Sequence, residues 1–295
     1  MAVSLKISML AAVSGAALVA FATPAVAAGE QFQERGRVVG VVDGDTVKVD
    51  LWGDGTSTPR LVRFTGIDTP EKSRCHGPAA HKRAKELALG RIVHLHSIDK
   101  NNMSGVRLRR TVLVAQGGGE FLNLPRTMVR EGRAVWLPGP LEYAHNLEYH
   151  QLAEQARAKN TRIWDADACG QGPNQNSHLG MTVQWDAPGI DDANPNGEIV
   201  SIKNRNATVA ISLAGWWVRD STPKRYIFPA GTVLLPGATL RLHVGQGIST
   251  PLDQYWGASQ SILSNATSDG THMGEGAYLL DPDGDIRKAK VWPSL

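Results

Sequence analysis

Asp43-Gly44-Asp45-Thr46, followed by Arg63-Phe64-Thr65-Gly66-Ile67-Asp68-Thr69-Pro70-Glu71, is the stretch whose reading decides the first half of this chain. Around it the valines alternate. Gly36 to Val42 and Thr46 to Leu51 carry apolar residues at every second position across a Gly-containing turn, and Pro59 to Ile67 adds a third run after the Gly/Asp/Thr/Ser loop at 53 to 58. Period-two alternation is the mark of half-buried strands, so these segments predict a meander. Within it, Asp45, Asp68, Glu71 and Arg63 fall inside 29 residues. Isolated burial of a carboxylate is very costly, so such a grouping in a small β-rich core calls for a compensating cation or charged ligand. Two carboxylates suit a hard, oxygen-seeking ion such as Ca2+, which leaves a third carboxylate to act as base and the arginine to bind a phosphoryl oxygen. The pattern points to phosphodiester chemistry.

Working outward, Pro78 opens a helix with Ala80, Ala84, Leu87 and Ala88 on one face, and Gly90 ends it. Arg91 to Ile98 and Arg107 to Ala115 read as two further strands. A second helix runs from Leu124 to Glu131 before Gly132, and a third from about Leu141 to Lys159 with Tyr149, Leu152, Ala153 and Ala156 along one stripe. Five strands with three helices predict a mainly β fold with some α, a small closed barrel of the OB type. Beyond it lie short alternating strands, from Ile199 to Lys203 through Arg287 to Val291, separated by Pro/Gly turns such as Leu235-Pro236-Gly237. That spacing predicts a C-terminal immunoglobulin-like β-sandwich.

Met1 to Lys6, the apolar run Ile7 to Phe21 and Ala25-Val26-Ala27 have the layout of a cleaved secretory signal peptide over 1–28. Export to a secreted or envelope-associated location is therefore expected, with no later membrane span. The remaining 267 residues suit two domains. Residues 29–178 hold 21 Lys/Arg against 17 Asp/Glu, and 179–295 hold 9 against 11, so the first domain is mildly basic and the second mildly acidic. Gly, Pro, Asn and Asp dominate 170–176 and 186–197. The expected division is a first domain at 29–170, a linker at 171–197 and a sandwich at 198–295, in a monomer whose second domain folds independently. Cys75 and Cys169 are the only cysteines. In an oxidising compartment they predict one disulfide; two free thiols are the alternative.

The Asp-Gly-Asp-Thr hairpin, the Arg-x4-Asp-Thr-Pro-Glu segment, Val129-Arg130-Glu131-Gly132 and Ile163-Trp164 resemble the signature of the staphylococcal nuclease (thermonuclease) family, over about Gly36 to Trp164. The resemblance implies that Asp45 and Asp68 are carboxylate ligands of Ca2+, with Thr69 offering its backbone carbonyl. It makes Glu71 the base that activates or orients the attacking water, and Arg63 a grip on the phosphate in the transition state. It implies hydrolysis of DNA and RNA at the bond from phosphorus to the 5′ oxygen, leaving 3′-phosphates. The family's second catalytic arginine usually lies in a Tyr-Gly-Arg stretch that starts a strand, where this chain reads Ser104-Gly105-Val106-Arg107-Leu108-Arg109-Arg110-Thr111. Alignment backwards from Asn123 and forwards into Thr111-Val112-Leu113-Val114 selects Arg110, with Arg109 and Arg107 as alternatives. The rival reading is an inactive nucleic-acid-binding or surface-interaction scaffold on the same barrel.

His94-Leu95-His96 sets two imidazoles on one strand face and is read as a surface strand rather than a metal site, for want of a third ligand. Asp192-x-Asn194-x-Asn196-Gly197 and Asp281-Pro282-Asp283-Gly284-Asp285 begin like calcium loops but lack the closing Glu, so both are read as turns. In the tail, Leu213-Ala214-Gly215-Trp216, Phe228-Pro229-Ala230-Gly231 and Tyr255-Trp256-Gly257 resemble the lamin-tail domain over about 198 to 293. Trp216 and Trp217 should face opposite sides, one in the core and one partly exposed. A protein or surface component is the expected partner of this acidic domain.

Overall fold

Val38, Val47, Val49, Val62, Val93, Val112 and Val114 have no solvent-exposed surface, and together they fill the inside of a closed barrel. A computed structural model describes residues 29–139, 142–165, 168–169, 178–222, 224–266 and 273–293. Residues 1–28, which carry the expected leader, lie outside the described residues. The first domain runs β1 (Phe32–Val41), β2 (Thr46–Leu51), β3 (Arg60–Phe64), β4 (Ile67–Asp68), α1 (Gly77–Ala88), β5 (Ile92–Ser97), β6 (Met103–Ser104), β7 (Arg107–Gly117), β8 (Glu120–Asn123), α2 (Leu124–Arg130), β9 (Val135–Trp136) and α3 (Asn146–Ala158). Strands β3, β2, β1, β5 and β7 follow one another by antiparallel pairing, and a parallel β3–β7 pairing closes the ring. Closure removes free edges, which is how a small OB-type barrel of five strands with three helices is completed.

α1 and α2 show the expected local causes. Pro78 sits in the first turn of α1, and Ala80, Ala84 and Ala88 face the barrel. Asn123 caps α2 by accepting from the Arg126 N–H at 2.9 Å. α3 begins at Asn146, later than the sequence pattern suggested.

The second domain contains β10 (Leu179–Gln184), β11 (Ile199–Asn204), β12 (Ile211–Ser212), β13 (Trp217–Arg219), β14 (Arg225–Ile227), β15 (Val233–Leu234), β16 (Thr239–His243), β17 (Asp253–Tyr255), β18 (Glu275–Leu280) and β19 (Ile286–Trp292). Two four-stranded sheets, β10-β11-β16-β17 and β14-β13-β18-β19, enclose a core of Val200, Ile202, Leu240, Leu242, Val218, Leu279 and Trp216. Here β10 corrects the expected boundary: it lies inside the presumed linker and pairs along its whole length with β11. Its Leu179, Met181 and Val183 alternate at every second position. Trp216 is fully buried and Trp217 half-buried, as their adjacency demands.

The domains are not independent. Tyr278, Leu280 and Val291 of the sandwich belong to the same buried cluster as Trp164, Ile163 and the barrel valines. At the junction, Asp285 accepts from the Ala168 and Cys169 N–H groups at 3.1 and 3.0 Å, and Cys169 is disulfide-bonded to Cys75 with the Cα atoms 5.7 Å apart. A core shared across a domain boundary is not something alternation within either domain can reveal.

Candidate active site

The hairpin from β1 to β2 brings Asp45 to the rim of the barrel. Asp43 accepts from the Asp45 N–H at 3.1 Å, and the Asp45 carbonyl accepts from Phe64 N–H at 2.8 Å, so the turn is tied to β3. Gly44 is required by close approach: a Cβ there would lie 2.8 Å from both Ala80 Cβ and Thr69 Oγ1. Gly77 does the same for the loop carrying Glu71, because a Cβ there would collide with the Glu71 carbonyl. The loop after β4 and the start of α1 are thereby packed onto the carboxylates.

Arg63, Asp45 and Asp68 are 7%, 3% and 5% exposed, and they form one ionic cluster beneath the surface. Thr46 pairs with Arg63 in the β2–β3 ladder, which places Asp45 and the guanidinium on one end of the barrel. Arg63 Nη1 contacts Asp45 Oδ2, while Nη2 donates to Asp68 Oδ1 at 2.5 Å and to the Ile67 carbonyl at 3.3 Å. Asp45 Oδ2 also accepts from the backbone N–H and the hydroxyl of Thr69 at 2.8 and 3.0 Å. Burial pushes the Asp43 carboxyl above the ordinary range; Arg63 opposes that shift, and the charge of Asp68 adds to it. Glu71 is exposed and lines the cleft beside Asp68 and Thr69. The groups brought together around Arg63, the Asp45 and Asp68 carboxylates and Thr69, carry oxygen, which suits a hard divalent cation rather than zinc or copper.

Arg110 is not part of this group. It is 1% exposed and points to the other side of β7, where Nε donates to Glu34 Oε2 at 2.7 Å and the terminal nitrogens donate to the carbonyls of Lys100, Asn102 and Arg109. The selection of Arg110 is therefore corrected. Arg109 stands in register with Arg63 across the parallel β3–β7 pair. Burial lowers its pKa, and the neighbouring charges of Arg63 and Arg107 lower it further. Arg107, two residues away on the same face, acts electrostatically on Asp43. Side chains alternate along a strand, so a count that slips by one residue moves to the wrong face.

The histidine pair is buried rather than exposed. His96 has no accessible surface and lies 3.4 Å from Glu30, whereas His94 packs edge-on against Phe121. Asp281 closes its own turn by accepting from the Asp283, Gly284 and Asp285 N–H groups, as a turn reading requires.

The residue that sequence reasoning missed is Arg219, at the end of β13 in the second domain. Its Nη2 donates to Asp68 Oδ2 at 2.6 Å. Nothing in its local sequence marks a partner 151 positions away. Between the domains, Glu71, His76, Trp217, Arg219, Arg225 and Tyr278 line a cavity of about 90 Å3. Arg225 stands over the Trp217 ring at 5.2 Å.

Residues 61–166 match the family model Staphylococcal nuclease homologue. The chain is also 30% identical over 163 residues to Protein ParB of Escherichia coli, a match covering 53% of this chain and 84% of that protein. The chain belongs to the staphylococcal nuclease homologues. A second match places a Lamin Tail Domain at 186–293, after the nuclease-homologue domain. An uncharacterized endonuclease of Haemophilus influenzae is 33% identical over 128 residues, which is 43% of this nuclease homologue and 65% of that relative. Endonuclease Htp3 of Saprolegnia parasitica is 29% identical over 149 residues, covering 45% and 71% respectively. No helix among the described residues is long and apolar enough to cross a membrane.

Proposed function

We propose that this nuclease homologue is an exported, Ca2+-dependent nuclease that hydrolyses phosphodiester bonds of DNA and RNA. The observation that carries the reading is the convergence of Asp45, Asp68 and Arg63 at one barrel end, with the exposed Glu71 on the adjoining loop. Asp45, Asp68 and the Thr69 carbonyl would hold the ion, which when bound supplies positive charge against a phosphoryl oxygen. Arg63 is anchored from two sides and has little freedom, so it offers a guanidinium already oriented for the phosphate. Glu71 reaches water without leaving its loop and is placed to take a proton from a nucleophilic water. Arg107 and Arg109, on the face next to Arg63, supply the second cationic contact. Cleavage at the 5′ oxygen side, with 3′-phosphate products, follows from the family resemblance. Export is supported by the leader pattern and the Cys75–Cys169 disulfide.

The test is degradation of DNA and RNA by the full chain with Ca2+ and with EGTA. Glu71→Ala should retain its fold and bind oligonucleotide while turnover falls at least ~10²-fold, the usual scale for a general base. Undiminished cleavage by that variant would sink the assignment. One observation favours a second reading, an inactive binding scaffold: Arg219 already occupies the free side of Asp68. The same assay separates the two, since a scaffold binds nucleic acid without shortening it.

A further inference from the structure

Asp68 is gripped from two sides by guanidinium groups of different domains. Arg63 takes Oδ1 at 2.5 Å and Arg219 takes Oδ2 at 2.6 Å. The Arg219 side chain is 13% exposed and held along its length: Nε donates to the Asp220 carbonyl at 2.9 Å, and Nη2 also donates to the Ser221 carbonyl at 2.7 Å. Each oxygen of Asp68 already accepts from one guanidinium, so any further cation on this carboxylate must sit beside a positive group. A metal ion and a guanidinium that share one carboxylate weaken each other's hold on it, and two cations confined in a partly buried site repel each other strongly.

We propose that Arg219 is a positioning residue for Asp68, supplied by the Lamin Tail Domain, which sets the metal affinity of the nuclease-homologue site by contending with the divalent cation for Asp68 Oδ2. This rests on the reading above that Asp45 and Asp68 hold the ion. The contact joins two domains through a shared core, so metal loading and the seating of β13 against the barrel are linked, and linkage is reciprocal. Filling the site loosens the Arg219 end of β13; drawing β13 away, as a ligand of the tail could, tightens metal binding. The tail then acts on the nuclease site through one carboxylate and needs no contact with the substrate.

The experiment titrates Ca2+ calorimetrically into the full-length chain, its Arg219→Gln variant and its Arg219→Lys variant, each below its melting temperature. Arg219→Gln removes the charge and should bind Ca2+ at least ~10-fold more tightly, about 1.4 kcal/mol. Arg219→Lys keeps the charge and should stay close to the wild-type affinity, a rescue that a purely structural role does not produce. Equal or weaker binding by Arg219→Gln overturns the proposal. A second measurement needs no variant: amide exchange across residues 217–221 of the wild-type chain should quicken when Ca2+ is added, and unchanged or slowed exchange also overturns it. The two readings fail separately. A wild-type chain that cleaves DNA with Ca2+ but shows no effect of Arg219→Gln on affinity removes only the Arg219 proposal, whereas one that never cleaves removes the nuclease reading.

Discussion

Trp164, in the short 3-10 turn that ends the first domain, packs against Tyr278 in the middle of β18, with ring centroids 6.0 Å apart. Both residues are essentially buried, and each domain therefore covers an aromatic surface of the other. A chain ending near Gly172 keeps Asp45, Arg63, Asp68, Glu71 and Cys169 but uncovers Trp164 and Ile163. Burial of one large aromatic side chain is worth roughly 2 to 3 kcal/mol, so the truncated chain should melt well below the full-length protein and bind a hydrophobic dye. Differential scanning calorimetry of the two chains decides it. Equal melting of the first domain in both would show that the shared core contributes little.

The assignment of arginines on β7 separates stability from turnover. Arg110→Ala leaves Glu34 and three carbonyls without their buried donor and should cost roughly 3 kcal/mol of stability, with the folded fraction still active. Arg107→Ala and Arg109→Ala should change the melting temperature little and lower kcat about tenfold or more, because a contact to developing charge appears in turnover. If Arg110→Ala instead gives a stable protein without activity, the face assignment is reversed.

Cys75 and Cys169 close a loop of 94 residues and tie the segment after Glu71 to the domain junction. In the chain-entropy account such a loop contributes roughly 4 to 5 kcal/mol. Reduction should lower the melting temperature, and intact mass should rise by two alkyl groups only after reduction. Alkylation of both thiols in native, unreduced protein would contradict the bond.

Stability should also fall as pH rises through neutrality. Burial pushes the Glu198 carboxyl up to about 7, against the pull of the Ile262 and Leu263 N–H groups; burial and then the charge of Asp281 push Asp285 up to about 6. A carboxyl whose folded pKa is raised binds its proton more tightly in the folded state. Its stabilising contribution is whole below the unfolded pKa, near 4, and is lost as pH climbs through 6 and 7. The loss is roughly 1 to 2 kcal/mol after allowance for solvent screening. Glu30 opposes this at the acid end: burial would raise it, but His145, His96 and Thr111 hold it at about 2, so its contribution is lost only as pH falls toward that value. Melting temperatures measured from pH 4 to 8 should therefore peak on the acid side of neutrality; a maximum at pH 8 would refute the assignment.

The barrel, the sandwich and the carboxylate cluster were legible because each depends on short-range order in the chain. Alternating valines put one strand face inside, Gly44 and Gly77 permit the close approaches that seat Asp45 and Glu71, and a nine-residue segment carries Arg63 and Asp68 to one rim. Which arginine of β7 faces the site depended on strand parity, and with Arg107, Arg109 and Arg110 inside four positions a shift of one residue changes the face. The pairing of Arg219 with Asp68, the contact of Trp164 with Tyr278 and the capping of Cys169 by Asp285 were decided by tertiary structure alone. A charged or aromatic residue carries no local sign of a partner more than a hundred positions away. Only the docking of two domains on a common core brings such residues within reach, and with them the second cation that Asp68 holds.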